Sequence, residues 1–160
     1  MNTTHPQQTP AEEDAKFTEC TATLERALLA PLVPGELMSW SKNVQQTAHE
    51  FGKCLEKYVP GYLHPQYREI AKTDPDLLRR VEQLKEADAR LLAEFKAFEA
   101  RTRELVALAE PAKQNERKAD GLRAELEKQG TDLVLGFKKH QVAVNTWRSE
   151  SLVRDTGIAD

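Results

Sequence analysis

Apolar residues in this chain recur at spacings of three and four over most of its length, which is the period of one helical face. In residues 11–30, Phe17, Cys20, Leu24 and Leu28 share such a face. Pro31 and Pro34 stop this first helix, because proline lacks an amide hydrogen and clashes with the preceding turn. Residues 35–59 predict a second helix with a seam of Leu37, Ser41, Val44, Ala48, Phe51, Leu55 and Tyr58, widened by Trp40. Pro60-Gly61 is expected to end it, and residues 64–73 to form a short helical connector. A third helix follows, with Asp74 as its cap and Pro75 at its first position, where the missing amide hydrogen costs nothing. Its seam is Leu77, Val81, Leu84, Asp88, Leu91, Phe95, Phe98, Thr102 and Leu105, with Pro111 as the stop. Glu86–Arg90 and Glu99–Arg103 stand at ion-pair spacing on its solvent side.

The fourth helix is expected from about 113 to 151, on a seam of Leu122, Leu126, Gln129, Leu133, Gly136, His140, Val144 and Trp147. Gly121, Gly130 and Gly136 weaken it. They mark either close helix–helix approach or a break, with Gly130-Thr131-Asp132 as the place where a new helix could start. The helix is expected to leave off at Gly157. No strand pattern competes. The implied fold is all-α: an up-down-up-down four-helix bundle with a short connector helix between the second and third helices.

Composition adds limits. The chain has 160 residues, 39% apolar and 31% charged, with a net charge of −3. This suits one domain, residues 11–160, behind a polar tail at 1–10 that is expected to be disordered. No apolar run is long enough to span a membrane, and the N-terminus has no apolar stretch of the secretory kind. The expected setting is therefore cytoplasmic, with reduced thiols. Cys20 and Cys54 stand on the first two helices, outside any Cys-x-x-Cys pair, and are expected to be small buried apolar residues. The negative charge is local. Residues 1–35 hold five acidic side chains against two basic ones, and the remainder balances at 21 of each. Both signs interleave without a basic stripe, which excludes tight nucleic-acid binding and favours a protein partner or self-association. Trp40 and Trp147 are candidate contact residues if exposed and core residues if buried.

No Walker, Rossmann, nucleophile-elbow or zincin pattern occurs. No nucleophile has a base at readable spacing, so a hydrolytic or redox enzyme is the weakest reading. The polar residues that interrupt apolar seams are Asp88 and His140. A buried carboxylate or imidazole is costly unless paired, and antiparallel third and fourth helices would let these two meet. The bland alternative is that Asp88 leans to solvent and His140 is a satisfied core histidine. Tyr58 ends the second seam, either as an aromatic plug or with its hydroxyl at the same level. His49 lies beside its seam, while His5 and His64 lie in the tail and the connector.

The chain end carries a further pattern: His140, then Glu150, then Asp155-Thr156-Gly157. With the stretch 81–92 (VEQLKEADARLL) and the layout of helix, connector and helix, it resembles the bacterial hemerythrin-like (HHE cation-binding) proteins. The resemblance spreads over residues 20–160. It implies a four-helix bundle that in other members binds non-haem iron, and oxygen in some. His140 falls on a ligand position. Asp88 stands where a histidine would, Tyr58 and Tyr62 fall where a histidine–carboxylate pair would, and the first helix offers no histidine. The resemblance thus implies a divergent member without a working di-iron centre, acting as a structural or protein-interaction module with no cofactor. The alternative is a non-haem iron protein that uses His140 and Asp88 as metal ligands, with His49 or Glu150 as further donors.

Overall fold

The computed structural model describes residues 9–73, 75–111 and 115–155, and every regular element among them is helical. The expected Asp74 cap, the tail at 1–8, His5 and the chain end from Thr156 lie outside the described residues.

Helix α1 spans Pro10–Leu29. It starts earlier than the apolar pattern suggested, because Thr9 and Glu12 close a capping box: Glu12 N–H donates to Thr9 Oγ1 (3.4 Å) and Thr9 N–H to Glu12 Oε2 (2.8 Å). Two otherwise orphaned amides are satisfied this way, and Pro10 fits the first turn, where no amide is needed. After α1 the chain reverses. Glu36 N–H donates to Val33 O (3.0 Å), and Gly35 takes a φ of 86°. Pro34-Gly35 thus occupies the two central positions of a turn that needs a positive φ at the second.

Helix α2 spans Leu37–Tyr58 and buries Trp40, Ser41, Val44, Ala48, Phe51, Leu55 and Tyr58. Pro60-Gly61 does not end the helical path. The backbone widens into a π-helical turn over Val59–Leu63 and continues as α3, His64–Thr73. Pro60 has no amide hydrogen for the carbonyl four residues back and crowds it. The turn absorbs this by closing from His64 N–H to Val59 O instead. Its result is to carry Tyr62 and Leu63 into the core, followed by Gln66, Tyr67 and Ile70 on α3.

A short 3₁₀ turn at Pro75–Leu77 leads into α4, Leu78–Leu108. The α4 seam buries Val81, Leu84, Leu91, Phe95, Phe98, Thr102 and Leu105. The ion pairs expected at Glu86–Arg90 and Glu99–Arg103 do not form. Glu82 pairs with Lys85 (3.2 Å), and Glu99 turns toward His49 (3.8 Å).

Helix α5 runs unbroken over Glu116–Asp155, so no new helix starts at Gly130. The glycines mark close approach at two positions. A Cβ on Gly130 would lie 2.6 Å from Leu28 Cδ1 and 2.9 Å from Phe98 Cε2, and one on Gly136 would lie 2.8 Å from Leu91 Cδ2. Gly121 has open space around it. Phe137 and Val134 belong to the core as well, because α5 packs against both α1 and α4 and so needs a broad apolar face.

The core is centred on aromatic rings. Phe17 stacks on Tyr58 (3.9 Å between centroids), Tyr58 stacks on Tyr62 (5.1 Å), and Phe51 meets Phe95 and Phe137 edge to face (5.3 Å each). Trp40 is buried, and its Nε1–H donates to Ala30 O (3.2 Å), an acceptor left open at the end of α1. Trp147 is half-buried under the Arg80 guanidinium, 4.9 Å from its ring centroid. Trp40 is thus a core residue, and Trp147 is partly covered.

The expectation of free, buried thiols is corrected. Cys20 and Cys54 form a disulfide between α1 and α2, and both are half-buried. They stand at one level because Phe17 on α1 lies opposite Tyr58 on α2 and Ala30 opposite Trp40. The spacing of 34 residues along the chain hides a Cα separation of 6.8 Å. No helix among the described residues is long and apolar enough to cross a membrane.

Candidate functional site

Asp88 and His140 meet. The seam of α4 turns Asp88 inward one turn after Leu84, and the seam of α5 turns His140 inward between Phe137 and Val144. His140 Nε2 lies 2.8 Å from Asp88 Oδ1, with side-chain exposures of 6% and 11%. The same nitrogen is 3.2 Å from Leu84 O and 3.3 Å from the hydroxyl of Tyr67. Tyr67 in turn donates its O–H to Asp88 Oδ2 (2.7 Å). Three oxygens therefore face Nε2, and the strongest acceptor is the carboxylate. This arrangement places a proton on Nε2, with Asp88 accepting from His140 through one oxygen and from Tyr67 through the other.

Tyr67 is the member of this cluster that the sequence did not single out. It comes from α3, and the turn at Pro60 sets its direction. Its neighbours on the same face, Leu63 and Ile70, repeat the three-and-four spacing, so the signal was present in a segment too short to stand out.

A second polar group lies beside the first. Tyr58 O–H donates to Asp14 Oδ1 (3.3 Å), and Gln141 Nε2–H donates to Asp14 Oδ1 and to Thr18 Oγ1 (2.8 Å each). Tyr62 O–H donates to Asn145 Oδ1 (2.9 Å). The three tyrosines of the α2–α3 region thus each donate a hydrogen bond to an acceptor on α1, α4 or α5. Burial raises the pKa of all three phenols above the usual tyrosine value. The neighbouring Asp14 carboxylate adds to this at Tyr58 and Tyr62, and Asp88 adds to it at Tyr67. These hydroxyls act as neutral donors rather than as phenolates.

The remaining candidates stand apart. His49 is exposed, with 57% of its side chain accessible, and faces Glu99. Glu150 pairs with Arg154 (3.0 Å). His64 is exposed on α3. Among the described residues, no group of three or more His, Cys, Asp or Glu side chains could hold a metal ion. A di-iron centre draws several carboxylates and histidines from facing helices. Asp88 and His140 supply two such donors, and the Nε2 that would bind iron already carries a proton shared with Asp88. Where the resemblance would place a histidine–carboxylate pair, Tyr58 and Tyr62 spend their hydroxyls on Asp14 and Asn145. This donor set does not fit a di-iron centre.

No family model, no curated protein and no solved structure matches the chain.

Proposed function

We propose that the chain is an up-down-up-down four-helix bundle of hemerythrin-like layout, without a di-iron centre, that works as a structural or protein-interaction module. The supporting observation is the closed Tyr67–Asp88–His140 cluster. At the level where the resemblance expects iron ligands, each polar side chain is occupied by another. A buried polar set of this kind fixes how α3, α4 and α5 seat against one another, because any other seating leaves a donor or acceptor unpaired. The interleaved surface charge favours a protein partner or self-association. The test is the metal content of protein purified from iron-replete cells. Far less than one iron per chain is expected, and near-stoichiometric iron would overturn the proposal.

A second reading, a non-haem iron protein, draws on the convergence of one nitrogen and two oxygen donors from His140, Asp88 and Tyr67. It requires bound iron that is lost in His140→Ala. Retention of iron in that variant, or its absence from the parent protein, removes this reading.

A further inference from the structure

The Cys20–Cys54 disulfide is not equally placed at its two ends. A cavity of about 140 Å³ opens beside it, lined by Glu13, Lys16 and Phe17 of α1 and by Glu50, Lys53, Cys54 and Lys57 of α2. Cys54 is part of the wall and Cys20 is not. Three ammonium groups surround the opening against two carboxylates. Lys53 is taken up by Glu50 (3.1 Å). Lys16 and Lys57 form no ion pair among the described residues and stand against the one remaining carboxylate, Glu13, so the lining beside Cys54 carries a net single positive charge. Cationic neighbours attract an anionic nucleophile to the sulfur they surround.

From this juxtaposition we infer that Cys54 is a thiol-exchange site for small anionic thiols of the glutathione class. In the forward step the small thiol releases its proton to water and its thiolate attacks Cys54 Sγ. The Cys20–Cys54 bond breaks, and its electron pair leaves on Cys20 Sγ, which takes a proton from water. A new sulfur–sulfur bond joins Cys54 to the small molecule. No external oxidant is consumed, because the protein disulfide is the oxidant. In reverse, the Cys20 thiolate attacks Cys54 Sγ in the mixed disulfide, releases the small thiol and restores the bridge. The half-buried position of Cys54 admits the attacking sulfur, and the Lys16 and Lys57 rim meets the carboxylates of the small thiol.

The experiment uses the oxidised full chain and two single-cysteine variants, Cys20→Ser and Cys54→Ser. The oxidised chain is treated with reduced glutathione, quenched with acid and alkylating agent, and mapped by peptide mass. The mixed disulfide is expected on Cys54 and free alkylated thiol on Cys20. Each variant is then treated with glutathione disulfide and, separately, with cystamine, its cationic counterpart. Cys20→Ser is expected to form the mixed disulfide faster than Cys54→Ser and to prefer glutathione disulfide. Lys16→Gln and Lys57→Gln should each reduce that preference by about three-fold at low salt, as suits one exposed charge. Glutathione found mainly on Cys20, a preference for cystamine, or no mixed disulfide at all would overturn the inference. The first arm needs no substitution, so misfolding of a variant does not blunt it.

Discussion

Replacing Asp88 with alanine removes the one acceptor that serves two buried donors. Tyr67 O–H loses its 2.7 Å acceptor, and His140 Nε2–H loses its 2.8 Å contact and keeps only the longer ones to Leu84 O (3.2 Å) and the Tyr67 hydroxyl (3.3 Å). Both partners stay in the core, since His140 has 6% of its side chain exposed, and water relieves little of the loss. A buried donor that loses its acceptor costs about 1–3 kcal/mol, so the two together cost about 3 kcal/mol. A domain of this length shifts its melting temperature by about 2–4 °C per kcal/mol, so Asp88→Ala should melt about 10 °C lower. Tyr67→Phe is milder. It removes one donor and leaves Asp88 still bonded to His140, which should cost about 1–2 kcal/mol. The assay is urea unfolding followed by helical circular dichroism, with Asp88→Ala, His140→Ala and the double variant forming a cycle. A coupling energy of about 1 kcal/mol or more is expected between the two. If Asp88→Ala falls within about 0.5 kcal/mol of the parent, the carboxylate is solvated as a surface group would be, and the reasoning fails.

Three further outcomes follow from the packing. Gly130→Ala should destabilise by about 1–3 kcal/mol, because its Cβ would press on Leu28 and Phe98, whereas Gly121→Ala should stabilise by up to about 1 kcal/mol, since nothing stands near it; equal effects in chemical unfolding would contradict the close approach. Phe95→Ala should cost about 3–5 kcal/mol, because the ring is buried against Phe51; a loss under about 1 kcal/mol would mean that the seam of α4 faces elsewhere. At alkaline pH the three buried phenols keep their protons in the folded chain but release them near pH 10 once unfolded. The native state then binds more protons, so stability is fully present below about pH 10 and falls above it, by up to about 1.4 kcal/mol per pH unit for each phenol. Phenolate absorbance should rise only as helical structure is lost, and its rise with the helices intact would refute the burial.

What the sequence reveals here follows the range of each interaction. The α4 seam was readable residue by residue, because burial on one helix face repeats every three or four positions and α4 carries no proline or glycine. Asp88 and His140 were legible as a candidate pair for the same reason: each breaks an apolar row, and a buried polar group needs a partner. Tyr67 left only a short three-and-four signal with Leu63 and Ile70, too brief to single it out. Its direction depends on the π turn at Pro60, and a proline reads locally as a stop although the backbone can absorb it. Asp14, Gln141 and Asn145 sit on the flanks of their helices and look like ordinary surface residues until tertiary packing brings the tyrosine hydroxyls to them. The disulfide was hidden for a related reason. Spacing along the chain says nothing about which residues of two helices stand at one level, and that is set by the turn at Pro34-Gly35. The glycines of α5 left two outcomes open, and only the neighbours across the interface, Leu28, Phe98 and Leu91, decide between them.

The protonation of the His140 ring tests the central claim most directly. In isotope-labelled protein, long-range proton–nitrogen spectra of that ring report which nitrogen carries a proton, and they can be recorded before and after one equivalent of ferrous iron under anaerobic conditions. The account predicts a protonated Nε2 and a ring spectrum unchanged by iron. A bare Nε2, or paramagnetic broadening confined to His140, Asp88 and Tyr67, would contradict it.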